Sequence, residues 1–376
     1  MNKTHPFTPT PTQAAALQEL GRRLVDQHNA RVIVPPQENA SGFWFGGGNL
    51  ARDRSGTLWL VGRYRNCGDS RTGLQKGSRG LELAVFRLDD MESQAEKVLS
   101  FGKEDLTTDG QQVLSIEGTS LHPTSNGVEL YLSTEKDMDY PAGFEAFRKP
   151  GTGVWTVDIM SADAVVSLPS AKIRTVVKSR EAARAHTKDP VVFERDDGNT
   201  ALIYCTHPFS WSSSNTSVAL RDAGASTFTL LTDQMLQRGP VWDVAVTRVT
   251  DRLAVPRAGL FKEAPPLSLY FYDGAECMRS HEEHGKAVRR PRGHSCEEIG
   301  GLAWGVDARF PAIHRLSVNE PLFISPWGSG SSRYVSTLRE ADRITATWQQ
   351  SQSDRSQPLV GHSLPMAEVE HILHGG

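Results

Sequence analysis

Apolar and polar positions alternate with period two along much of this chain, and the alternating runs come in pairs. The first member of each pair reads TLWLVGRYR (57–65), VELYLSTEK (128–136), TALIYCTHP (200–208), DRLAVPRAG (251–259) and SRYVSTLRE (332–340). The second reads LELAVFRLDD (81–90), TGVWTVDIMS (152–161), TSVALRDA (216–223), LSLYFYDGAE (267–276) and ITATWQQSQ (344–352). Alternation of this kind marks a strand whose two faces meet different surroundings. Gly, Asp and Asn fall between the runs, where hairpins need them. Copies recur roughly every 50–80 residues, a spacing that suits propeller blades with uneven insertions. The pattern predicts an all-β chain, a five-bladed β-propeller with short N- and C-terminal helices.

Residues 12–28 carry a helical stripe of Ala15, Leu17, Leu20, Leu24 and Val25 behind a Thr. Arg31–Val34, ahead of Pro35 and Pro36, is a candidate outer strand joining the first and last blades. A ring needs such a closure, because an open sheet leaves unpaired edges. Met366–Leu373 reads as a closing helix. The organisation expected is therefore 1–42 as helix and closing segment, 43–361 as propeller and 362–376 as C-terminal helix. The blades span about 43–90, 97–161, 172–223, 228–276 and 299–360. The charged, His-rich stretch 277–298 is expected to be a loop over one face, between blades four and five.

Bulk properties narrow the function classes. A chain of 376 residues with a net charge of −3 carries no global basic field for nucleic acid. Mean hydropathy is −0.40, and no apolar run is long enough to span a membrane. The polar N-terminal stretch lacks the apolar core of a signal peptide, and the four cysteines form no C-x-x-C pair. A cytoplasmic protein with reduced thiols is expected.

In a propeller the innermost strands line a central funnel, so the segments ahead of the repeated pairs are where ligands bind. Four of them place an amide or carboxylate before an apolar stretch: Asn49, Glu117, Asp189 and Asp243; blade five offers Glu320. Carboxylates converging on one axis cannot all ionise without cost, and the resulting spread of pKa values is what acid/base catalysis uses.

Lys188-Asp189-Pro190, followed by Val-Val-Phe, resembles the Arg-Asp-Pro-type segment in the third blade of five-bladed propeller glycosidases, the group of glycoside hydrolase families 43, 32, 62, 68, 117 and 130. The resemblance covers the blade count, the inner-strand carboxylates and this motif. It implies that Asp189 orients and tunes the proton donor and that Asp243 is the fourth-blade acid, where the pattern has Glu. The first-blade base position holds Asn49, so either Glu117 of blade two takes over as base or the chemistry differs from the usual scheme.

Around these, Trp44, Phe45, Trp211, Trp242, Trp304 and Trp327 are candidate stacking surfaces for sugar rings or core aromatics. Gly46-Gly47-Gly48 permits close backbone approach to a ligand but has no strand-to-helix context for cradling phosphate. Arg63, Arg65, Arg79, Lys188 and Arg248 make the funnel mouth cationic, suited to a uronate, sialate or phosphate. His186 is placed to bind a hydroxyl or tune Asp189. Glu298, after Cys296 and Glu297, is placed to swing into the site. His281, His284 and His294, with Glu282 and Glu283, raise a metal site, but the surrounding charge reads as an exposed loop, and no metal or cofactor is expected. No G-x-S-x-G elbow supports nucleophilic serine chemistry.

The function expected is an inverting, exo-acting glycoside hydrolase on a small oligosaccharide, with Asp243 or Glu117 as acid and the other as base. Inversion asks for carboxyls about 6.5–9.5 Å apart, against roughly 5–5.5 Å for retention. The alternatives are a glycoside phosphorylase of the same fold, a non-catalytic propeller binding module, and a uronate lyase. The only partner expected is a small carbohydrate.

Overall fold

Five antiparallel sheets stand around one axis in the computed structural model, which describes residues 7–66, 80–277 and 298–376. Blade one contains β2 (Trp44–Gly46), β3 (Leu50–Arg52), β4 (Leu58–Arg65), β5 (Glu82–Leu88) and β6 (Glu96–Phe101), with β2 and β3 both paired to β4. Blade two runs β7 (Val113–Thr124), β8 (Gly127–Lys136), β9 (Val154–Ala162), β10 (Ile173–Val177). Blade three runs β11 (His186–Glu194), β12 (Thr200–His207), β13 (Asn215–Arg221), β14 (Thr229–Leu236). Blade four runs β15 (Val246–Ala254), β16 (Leu267–Ala275), β17 (Ile299–Val306), β18 (His314–Arg315). Blade five is built from β19 (Ser332–Arg339), β20 (Arg343–Gln350), β21 (Leu359–Pro365) and β1 (Arg31–Val34).

The early strand β1 pairs antiparallel with β21, Val32 opposite Val360, so the last blade takes its outermost strand from near the start of the chain. That closure matches the expectation for Arg31–Val34. It gives blade five its fourth strand and pairs the edge that β21 would otherwise leave open.

The blade frame differs from the sequence reading. In blades one to three the repeated pairs are the second and third strands; in blades four and five they are the first and second. Hairpins from any part of a blade share the same period, so alternation alone does not say which strand is innermost. Two consequences follow for the segments expected to line the axis. Residues 240–245 lead into β15 rather than forming it, and 320–328 connect blade four to β19. In chain order 277–298 falls between β16 and β17 of blade four rather than between blades four and five, and 278–297 lie outside the described residues.

Inner strands pack in a ring: β3 against β7, β7 against β11, β11 against β15, β15 against β19, and β19 back against β3. The spaces between blades are filled by residues such as Leu130, Leu132, Leu202, Ile203, Leu269 and Phe271, none measurably exposed. Each such side chain stabilises by about 1.5–3 kcal/mol on burial.

Helix α1 (Pro11–Leu24) begins at Thr10, which closes a reciprocal capping box with Gln13. Its buried face of Leu17, Leu20 and Leu24 packs with Leu302, Trp304 and the second helix, α2 (Met366–Leu373). The two helices thus brace the outside of blades four and five. Among the described residues no helix is long and apolar enough to cross a membrane.

Candidate active site

Every inner strand is interrupted at the same height. Pairing shifts register between Ile116 and Thr119 in β7, Lys188 and Val191 in β11, Val249 and Asp251 in β15, and Arg333 and Ser336 in β19. In blade one the break lies at residues 47–49, between β2 and β3. A bulge frees one residue from the ladder and re-aims its side chain. The four register shifts lie beside Glu117, Lys188, Asp189, Arg248, Arg333 and Tyr334, and these residues meet in one cluster.

Backbone conformation is strained where the cluster is tightest. Asp189 has φ 59° and Tyr334 φ 54°, both left-handed and neither glycine. Asp189 also precedes a proline, which normally holds a residue in the extended region. Its compensation is a dense cradle. Oδ1 accepts from the Gly118 N–H at 3.0 Å and the Tyr334 hydroxyl at 3.4 Å, while Oδ2 accepts from Arg248 at 3.1 Å and the Cys205 thiol at 3.3 Å. Gly118 is required for that approach: a Cβ there would stand 2.5 Å from Asp189 Oδ1.

Guanidiniums organise the remaining acids. Glu117 receives Arg63 at 2.6 and 3.1 Å on Oε2 and Arg65 at 3.3 Å on Oε1. Arg248 Nη2 lies 2.6 Å from Asp273 Oδ2 and 3.0 Å from Glu298 Oε2, and Arg333 also reaches Glu298. The Tyr334 ring underlies Arg248 at 4.0 Å, with Arg63 and Arg333 at 5.5 and 5.6 Å. Trp44 sits between the guanidiniums of Arg65, 4.6 Å away, and Arg333, 4.5 Å away.

These contacts set the proton affinities. Burial pushes Glu117 upward, but Arg63, Lys188 and Arg65 outweigh it and hold the carboxyl well below the usual range. Glu298 behaves alike: burial opposes ionisation, and Arg248, Arg333 and Lys188 overcome it. Asp273 goes the other way. Its burial exceeds the help from Arg248, the neighbouring Glu298 repels its charge, and it rises to about 6. Burial and the Lys188 charge lower His186 to about 3, so it is neutral at physiological pH.

Of the expected site residues, the structure brings Glu117, Asp189, Arg63, Arg65, Lys188, Arg248, Trp44 and Glu298 together. Asp243 is elsewhere: fully buried, it forms an ion pair with Arg315 at 2.8 Å, because it precedes β15 rather than lying on it. Its neighbour Trp242 is also a correction, a blade-four core residue 2% exposed whose Nε1 donates to the Ser317 carbonyl at 2.9 Å. Asn49 spends both ends of its amide on the Leu121 backbone, at 2.7 and 3.0 Å, and so stitches blade one to blade two. Trp327 packs against His28 beside α1, Glu320 is exposed, and Phe45 and Trp304 are core. His186 is fully buried under Trp211, ring centroids 4.1 Å apart, and accepts from the Trp155 N–H at 3.5 Å. Arg79, His281, Glu282, Glu283, His284, His294, Cys296 and Glu297 lie outside the described residues.

Asp273, Arg333, Tyr334 and Cys205 escaped the sequence reading. A signal existed for two of them: aligning Arg333-Tyr334 of β19 with Ile116-Glu117 and Lys188-Asp189 follows at once from the correct strand frame.

No protein-family model matches the sequence, and no curated protein matches it. Solved structures do match. A glycoside hydrolase superposes with TM-score 0.60 at 10% identity, over 95% of this chain and 96% of that one. The β-1,2-mannobiose phosphorylase of Listeria innocua gives 0.54 at 11%, over 92% and 97%. An exo-1,5-α-L-arabinanase from a bovine ruminal metagenomic library gives 0.52 at 10%, over 88% and 95%. At such identities the likeness is one of fold, and that fold is the five-bladed β-propeller on which these carbohydrate-active enzymes are built.

Proposed function

We propose that this chain cleaves the glycosidic bond of a small carbohydrate by acid–base chemistry between carboxyl groups at the propeller axis, with inversion at the anomeric carbon. The observation that carries the proposal is the pair of acids on Arg248 Nη2, Asp273 raised to about 6 and Glu298 held well below the usual range. Environments that push two carboxyls apart are what a proton donor and acceptor need. The two titrate as a pair. Asp273, raised to about 6, holds the proton; Glu298, its side chain 17% exposed against 0% for Asp273, takes it from Asp273 and passes it to the leaving oxygen. Glu117, kept ionised by Arg63 and Arg65, orients the attacking water and takes its proton. Asp189 positions Arg248 and Lys188 between them.

Arg63, Arg248 and Tyr334 are 1%, 2% and 6% exposed and fill the axis, which supports end-on entry of the sugar and so exo-action. The propeller neighbours named above favour a carbohydrate substrate. We assign the reaction to the cytoplasm, the compartment suited to the reduced thiol of Cys205.

A screen of aryl glycosides and natural disaccharides, with and without inorganic phosphate, tests the reading, and the anomer first released is read by NMR. Glu117→Gln and Glu298→Gln should each lower kcat about 10²–10⁴-fold with substrate binding retained. If the wild-type protein turns over no glycoside under either condition, the proposal fails.

A further inference from the structure

The axial cations are not equivalent. Arg63 and Arg65 are fastened to Glu117, Arg333 to Glu298, and Arg248 to Asp189, Asp273 and Glu298. Lys188 is different. Its side chain is 12% exposed, and its Nζ stands 3.6 Å from Asp189 Oδ2, too far for a good hydrogen bond. Among the described residues the ammonium makes no hydrogen bond at all. Its other neighbours are indole faces, Trp155 at 5.5 Å and Trp211 at 5.9 Å.

An ammonium has three N–H donors, and leaving them idle in a nearly dry site is costly. Burial works against its charge, but Asp189 and Glu117 hold the proton on, so Lys188 does not escape by becoming neutral. Two indoles beside the ammonium provide flat apolar walls of the kind that stack on a sugar ring.

We propose that Lys188 binds an anionic oxygen group in the reacting complex, the carboxylate of an acidic sugar or a phosphate, and that this makes the site selective for anionic over neutral ligands. The inference rests on the glycosidase reading for the sugar and on Lys188 for the charge. Lysine suits the task as a point charge with rotatable donors, since the forked guanidiniums that bind carboxylates in pairs are already engaged.

Isothermal titration calorimetry on the full chain, at one fixed ionic strength, tests it with D-glucuronate, inorganic phosphate and D-glucose as probes. Glucuronate or phosphate should bind at least tenfold more tightly than glucose, and folded Lys188→Met should lose that preference. Preference for glucuronate assigns the anion to the sugar; preference for phosphate assigns it to a second substrate. Equal binding of all three probes overturns the proposal, as does an unchanged preference in the variant. Should Lys188→Met fail to fold by circular dichroism, Lys188→Gln replaces it, and the wild-type comparison stands without either. Intact anion preference with no glycoside cleaved would sink the glycosidase reading alone. Cleavage of neutral glycosides without the preference would sink the anion site alone.

Discussion

The hydroxyl of Tyr334 stands 3.4 Å from Oδ1 of Asp189, and both residues hold left-handed backbone in opposite parts of the ring. Two strained residues in contact, from blades three and five, are held by the charges around them rather than by their own local preference. Such conformations cost of order 1–3 kcal/mol each.

Asp189→Asn preserves the shape that accepts the Gly118 N–H but removes the charge beside Arg248 and Lys188. We expect kcat to fall about a hundredfold or more while the fold persists. Steady-state kinetics beside near-UV circular dichroism checks this; full activity in the variant would remove Asp189 from the mechanism.

Gly118→Ala introduces a methyl 2.5 Å from Asp189 Oδ1 and 2.9 Å from its Cα. The Cα is backbone, and Oδ1 is held by the Gly118 N–H and the Tyr334 hydroxyl, so the bulge itself must shift. Overpacking of this kind costs about 1–3 kcal/mol. Activity should fall at least tenfold, and denaturant titration should show the destabilisation; wild-type behaviour on both counts would contradict the cradle.

Asp243→Asn separates structure from chemistry. It weakens the ion pair with Arg315 inside blade four, and among the described residues Asp243 shares no hydrogen bond or ion pair with Glu117 or Asp189. Stability should drop by about 3 kcal/mol, a Tm decrease on the order of 5 °C, with kcat per folded molecule unchanged. A large loss of kcat at unchanged Tm would return Asp243 to the catalytic group.

Asp251 gives a pH signature to the joint between blades four and five. It accepts from the Thr337 N–H and hydroxyl, and burial pushes it up to about 7 despite those bonds. Its native pKa lies above its unfolded one, so between about pH 4 and 7 the native state binds the extra proton and stability falls as pH rises. Allowing for screening, the loss is roughly 2–4 kcal/mol. Asp251→Asn keeps an acceptor but cannot titrate. Its stability relative to wild type should climb across that window and level off above it; parallel Tm–pH curves would refute the assignment.

How far the sequence could be read depended on what each signal encodes. Period-two alternation reports one buried face, which is why the blade count, the closing strand Arg31–Val34 and the helix Met366–Leu373 were legible. Alternation is silent on a strand's distance from the axis, and that is how Asp243 and Trp242 entered the site while Asp273 and Tyr334 did not. Glu117 and Asp189 were legible because each sits beside a residue that breaks the ladder, Gly118 and Pro190. Arg333 and Tyr334 bulge without glycine or proline, held by tertiary contacts that no local pattern records. Asn49 looked like a missing base because its partner, the backbone of Leu121, comes from another blade.

The pairing of β1 with β21 also dictates an order of events during synthesis. Arg31–Val34 leaves the ribosome long before Leu359–Pro365, its partner, so four of five blades can form while the fifth lacks its outer strand. Through that interval β1 is a bare apolar strand able to pair with another molecule. The chain is therefore most exposed to aggregation just before completion. Its yield in a cell will depend less on the strength of the finished ring than on how long those four residues wait for their neighbour.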